Sequence, residues 1–197
     1  MPILPTRVMS LIETFNQKII AFFERKSKSS NKSIVLFLFL FTATISAPML
    51  IGYQIDNDLN RSENKDVDIF RDRAQTILDG ELLYRDTEKI TVTPPLINYL
   101  FIPVLLLGDS LLMWMAWFAF FLFLTSAVLF FVLDSYFDRR LAIAGSMIYS
   151  ASPFGQFTSV AMLQDDSIIV FFLALSLLFL IRKRWYLAAS AFGLGTM

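Results

Sequence analysis

Residues 111–133 read LLMWMAWFAFFLFLTSAVLFFVL, twenty-three positions without a charge. As an α-helix this run is about 35 Å long, more than the ~30 Å hydrocarbon core of a bilayer. A soluble fold could hold such a helix only by surrounding it on every side. The rest of the chain is poorly suited to that. Of 197 residues, 56% are hydrophobic and 17% charged, 21 are Phe, and the mean hydropathy is +0.60. Soluble domains run near 45–50% apolar and about 25% charged. Seventeen Lys and Arg balance seventeen Asp and Glu, and zero net charge with this much apolar surface invites precipitation from water. The sequence therefore predicts lipid as the solvent and an all-α, polytopic membrane bundle. The Phe content excludes a disordered chain, and the lack of a basic excess argues against nucleic acid as a partner.

Further spans are expected about 34–53, 141–163, 167–181 and 185–197. Residues 34–51 are uncharged and follow a run, RKSKSSNK, with four cations at Arg25, Lys26, Lys28 and Lys32. That order predicts a retained signal anchor with a cytoplasmic N-terminus. Upstream, Val8, Leu11, Ile12, Phe15, Ile19, Phe22 and Phe23 recur at helical spacing. Residues 1–33 are thus expected to form an amphipathic, basic segment on the cytoplasmic leaflet. A helix packing on another subunit fits the same pattern.

The segment 94–107 decides the topology. It reaches only about 21 Å as a helix and is interrupted by Pro103. If it spanned, Arg139, Arg140 and the triplet Arg182-Lys183-Arg184 would face outward, against the positive-inside bias. The favoured reading makes it re-entrant or interfacial and all short basic turns cytoplasmic. The cytoplasmic side then carries eleven Lys or Arg against four acids, and the outer side six against thirteen. Zero net charge is a sum over two oppositely charged faces.

On that topology residues 54–93 form a long extracytoplasmic first loop with ten acidic residues. The turn ending in Gln164-Asp165-Asp166 emerges on the same side. Carboxylates beside a span only about 15 residues long are costly to place and mark function; helix capping by Asp166 or Ser167 is the plainer alternative. Within the loop, Ile69, Phe70, Ala74, Ile77 and Leu78 make one apolar helical face, and Gly80 follows as a stop signal. Asp68 and Asp72 share a helical face, with Asp66 just ahead. The pair Asp66-x-Asp68 offers hard oxygens to Mg²⁺ or Mn²⁺, although such a pair also occurs in any solvated acidic loop. With no Cys there is no disulfide or thiolate site, and with no His, acid–base work falls to carboxylates, Lys or Tyr.

Taken in order, Asp66, Asp68, Phe70, Asp72, Ala74, Gly80, Tyr84 and Thr93-Pro94-Pro95-Leu96, then Ser152-Pro153, Asp166-Ser167-Ile168 and Arg182-Lys183-Arg184, resemble the first half of a GT-C class glycosyltransferase. The likeness is to the polyprenyl-phosphate-mannose-dependent enzymes, particularly the first mannosyltransferase of glycosylphosphatidylinositol synthesis and prokaryotic relatives. It covers roughly residues 34–197. Leu83 stands where that family has Pro, Pro95 where it has an apolar or small residue, and Ser152 where it has Asn. The family carries more spans, so the chain is expected to be a fragment, or one piece of a split enzyme completed by a partner subunit or a C-terminal half.

The resemblance implies transfer of a sugar, mannose in the nearest relatives, from a polyprenyl-phosphate carrier to a hydroxyl of a lipid- or protein-linked glycan at the outer face of a cell membrane. Asp66 or Asp68 would serve as the base. Arg71, Arg73 or a divalent cation held by Asp66 and Asp68 would receive the leaving phosphate. Asp72, Tyr84, Gln164, Asp165 and Asp166 would complete the substrate site. Two rival readings remain: a transporter or flippase fragment with Asp165 and Asp166 as an ion relay, and a non-catalytic scaffold that binds a glycan or lipid.

Overall fold

The computed structural model describes residues 6–60, 65–83 and 95–196. All regular structure among them is helical. Ten α-helices follow one another: α1 (Thr6–Ser27), α2 (Asn31–Asn60), α3 (Lys65–Leu78), α4 (Pro95–Tyr99), α5 (Ile102–Leu106), α6 (Leu111–Leu133), α7 (Arg139–Ser150), α8 (Pro153–Gln156), α9 (Asp166–Ile181) and α10 (Trp185–Thr196). A π-helical turn, Phe157–Ala161, lies between α8 and α9.

The uncharged run becomes α6 from end to end. Ser110 caps it by accepting from the Met113 N–H. Among the described residues two helices are long and apolar enough to cross a membrane by length and composition, Asn31–Gly52 and Leu111–Leu133. The expected span 141–163 is not one helix. The main cause lies at Ser152-Pro153: Pro153 has no N–H to give, and Ser152 takes an extended ψ of 117°. The chain breaks after Ser150, restarts as α8, and passes through the π-turn to Leu163, a non-glycine residue at φ 56°. The first part of the expected loop is also helical, since α2 continues to Asn60 and α3 follows at Lys65.

The helices meet through polar atoms inside and leave apolar residues outside. Thr42 of α2 hydrogen-bonds Ser150 of α7 at 2.8 Å, and Ser46 donates to the Gln156 Oε1 at 2.9 Å. The Gln156 Nε2 donates to the Ser150 carbonyl, and the Ser126 hydroxyl to that of Ser146. Gln156 is only 2% exposed, whereas Leu36, Leu40, Leu141, Ile148 and Phe192 face outward. Hydroxyls and amides satisfied between helices, with small residues at close contacts, are how helices associate where no hydrophobic force acts between them. The α9–α10 contact follows suit: Ala188, Ala191 and Gly195 are buried, and the Ser176 hydroxyl donates to the Ala188 carbonyl. A Cβ on Gly195 would lie 3.1 Å from that of Phe172.

Charge sorts to the two ends of this bundle. At one end Arg139 bonds Asp134, the Ser29 carbonyl and Asn31, Arg140 pairs with Glu24 at 3.1 Å, and Arg182 lies over the Phe131 ring. The basic segment 25–32, the Arg139-Arg140 pair and the basic triplet 182–184 are therefore neighbours. At the other end α3 lies against α4, α5 and the start of α6. Phe70 of α3 stacks on Phe101 at 4.5 Å, and Trp114 and Phe118 of α6 complete the cluster. The Arg71 guanidinium bridges Asp68 of its own helix, at 2.7 Å, to Asp109, at 2.6 Å. Asp109 thus lies beside α3 at this end of the bundle.

Candidate functional site

Helix geometry divides the predicted loop residues into two sets. At about 100° per residue, positions 66, 69, 70 and 73 fall on one side of α3, and 68, 71 and 72 on the other. The first side carries the site. Asp66, Ile69, Phe70 and Arg73, with Gln164 and Asp165 from the turn before α9, line a cleft of about 230 Å³. Gln164 reaches across it, its Nε2 3.4 Å from the Asp66 Oδ2. Residues nearly a hundred positions apart thus face each other at the acidic end of the bundle.

Arg73 is only 4% exposed. A guanidinium stays charged under all ordinary conditions and is taken from water only against anions or hydrogen-bond acceptors. Here it lies near enough to Asp165 to draw that carboxyl down. The opposing effects are larger. Burial pushes the Asp165 carboxyl up, and the neighbouring charges of Asp166 and Asp66 push it the same way. The site therefore holds a fixed cation beside a carboxyl that is reluctant to ionise.

The other side of α3 carries Asp68, Arg71 and Asp72. Asp68 is engaged by Arg71 and does not line the cleft. Asp72 lies on that side too, with one carboxylate oxygen buried and without a hydrogen-bond partner among the described residues. The expected metal pair, Asp66 and Asp68, is divided between the two sides of α3. Two residues apart on a helix, they point about 200° from each other, and Arg71 already neutralises one of them. Among the described residues no group of three or more acidic side chains is placed to hold a cation. The positive charge in the cleft is that of Arg73.

Gln164 and Asp165 line the cleft, and Asp166 stands in the first turn of α9, where the helix dipole favours a carboxylate. Asp165 stands at the N-cap of α9 without a side-chain cap bond, and the Ser167 hydroxyl has no partner among the described residues. Asp166, in the first turn of α9, is exposed at the edge of a second pocket rather than in the cleft. Tyr84 lies outside the described residues.

Sequence reasoning missed Asp109. It adopts φ 47° after Gly108 at φ 122°, accepts from the Arg71 Nε, and accepts at 2.9 Å from the Trp114 Nε1. It fixes α3 to the start of α6 and so sets where Asp66 and Arg73 lie. The Gly-Asp-Ser turn ahead of the apolar run is the signal that could have marked it.

No protein-family model, curated protein or solved structure matches the chain.

Proposed function

We propose that the chain is a membrane-embedded glycosyltransferase, moving a sugar from a polyprenyl-phosphate carrier to an acceptor hydroxyl. The bundle sits across a cell membrane as a multi-pass protein. Its basic end and N-terminus are cytoplasmic, and the cleft opens at the outer face. The observation that carries the reading is a buried guanidinium flanked by two carboxylates and an amide in one cleft at the acidic end of an apolar bundle.

Such a cleft suits an inverting displacement. Asp165 takes the proton of the acceptor hydroxyl, and the freed oxygen attacks the anomeric carbon of the sugar. As that bond forms, the bond from sugar to phosphate breaks and its electron pair passes to the phosphate oxygen. Arg73 faces that developing charge with two parallel N–H donors, the geometry that suits phosphate. Gln164 and Asp66 hold sugar hydroxyls. A carboxyl pushed above its ordinary range is a better base than an exposed one, because it holds the proton more strongly once it has taken it. Asp165 is therefore proposed as the base in place of Asp66 or Asp68, the latter being bound to Arg71.

The test is transfer of radiolabelled mannose from polyprenyl-phosphate mannose in membranes that contain the expressed protein. Arg73→Met and Asp165→Asn should each lower kcat by about 10²–10³-fold. Arg73→Lys keeps the charge without the fork and should fall between. Normal turnover in both Arg73→Met and Asp165→Asn would sink the proposal.

A further inference from the structure

The turn that supplies Asp165 to the cleft has a second side. Residues Asp166 and Ser167 border another pocket, of about 290 Å³, walled by Leu122, Phe154, Ile169 and Val170. Ser167 is 2% exposed, yet its hydroxyl finds no hydrogen-bond partner among the described residues. Buried hydroxyls are ordinarily hydrogen-bonded, so an unpartnered one beside this pocket, which Tyr149, Ser152, Thr158 and Ser159 also line, points to an acceptor atom that arrives with a ligand. No Lys or Arg among the described residues lines this pocket. Thr158 and Ser159 of the π-turn line the same pocket, and π-helical turns of this kind recur at functional sites.

We propose that this pocket takes the apolar chain of a neutral amphiphile, the acceptor of the transfer, with its hydroxyl held between Ser167 and Asp166. The inference rests on the transferase reading and names the acceptor class for it. The Ser167 O–H donates to the acceptor oxygen, and the acceptor O–H donates to the Asp166 carboxylate. Before the attack the alcohol's proton turns from Asp166 to Asp165, the preceding residue, which takes it as the oxygen bonds to the anomeric carbon. An alkyl phosphate is excluded from this position. It carries about −1.5 to −2 charge, offers no donor to Asp166, and meets a carboxylate with no cation to offset it. The two openings on either side of residues 165 and 166 thus sort the substrates by charge: the phosphate of the donor to Arg73, the neutral alcohol to Ser167. At this volume the pocket is near the lower limit for a small-ligand site, so it receives the part of the chain next to the hydroxyl.

The experiment is photo-crosslinking of the full protein in detergent micelles with a diazirine-bearing farnesol and with the matching farnesyl phosphate. Labelled peptides are then mapped by mass spectrometry. The alcohol should label residues 154–170, and excess unlabelled farnesol should compete while farnesyl phosphate should not. Ser167→Ala should weaken labelling about fivefold, the loss of one hydrogen bond. Gly155→Leu should weaken it about tenfold or more. A Cβ at Gly155 has room, 3.7 Å from the Leu122 Cδ2, and the rest of the side chain then fills the pocket. Equal labelling by the phosphate, or alcohol labelling that Ser167→Ala leaves unchanged, overturns the proposal. Labelling needs no turnover, so the two readings fail separately. Lost transfer with intact labelling counts against the transferase alone, and intact transfer without alcohol labelling counts against the pocket alone.

Discussion

Two arginines only two positions apart show how much a single residue's place on a helix decides. Arg71 and Arg73 are equivalent in composition, yet one clamps α3 to Asp109 and the other is buried facing Asp165. The cleft's electrostatics are most directly measured at Asp165. Its carboxyl is pushed up from an ordinary value of 3.8, first by burial and then by Asp166. The folded state then binds more protons at this site than the unfolded one. Its contribution to stability is complete below pH 3.8 and is lost as the pH rises through the raised folded value. Asp165→Asn removes that loss. Its Tm should exceed that of the unaltered protein at pH 7, by about 2–4 °C per kcal/mol recovered, and the gap should close as the pH falls toward 3.8. The sign reverses for turnover, because the base works only when deprotonated. Transfer should rise with pH to a half-point above 3.8, and Asp166→Asn should move that half-point down by removing a like charge. A half-point unmoved by Asp166→Asn would deny the coupling between the two carboxylates.

At the scale of elements, packing rather than ion pairing holds α3 in place. Arg71 joins two carboxylates, but all three side chains are about a third exposed, and exposed pairs contribute about 0–1 kcal/mol each. Phe70 is nearly buried and stacks on Phe101 with Trp114 and Phe118 around it. Truncating such a ring costs about 3–5 kcal/mol. Phe70→Ala should therefore lower Tm far more than Arg71→Ala, and should expose α3 to protease while α6 stays protected. Equal effects of the two variants would put the clamp above the cluster. Much of α3 was legible in the sequence. Of its expected apolar face Phe70 and Ala74 are buried and Ile69 and Ile77 partly so, while Leu78 is exposed, and its stop at Gly80 follows from the positive φ that Gly allows. That Asp66 and Asp68 diverge follows from the same rotation per residue, once the segment is taken as a helix rather than a loop. The Phe70–Phe101 stack was not legible, because it joins residues thirty positions apart across a turn. Nor was Asp109, whose partners Arg71 and Trp114 meet only when α3 folds back.

The whole molecule combines a polar interior seam, apolar outer faces and opposite charges at its two ends. The uncharged runs of α2 and α6 announce the two long helices. The break at Ser152-Pro153 was visible as a proline, but the π-turn after it depends on contacts that local spacing does not encode. Acids at one end and bases at the other favour one placement in a membrane. On the proposed placement the basic end would face the cytoplasm and the cleft the opposite compartment. This is directly testable because the chain has no Cys, so a single introduced thiol reports alone. Glu81, just after α3, and Lys183, in the turn between α9 and α10, are both exposed and lie toward opposite ends. In intact cells Glu81→Cys should react with a membrane-impermeant maleimide, and Lys183→Cys should react only after the membrane is opened. Equal reactivity of both in intact cells would place the two ends in one compartment. That result would remove the division of charge across a membrane on which the outward-facing cleft depends.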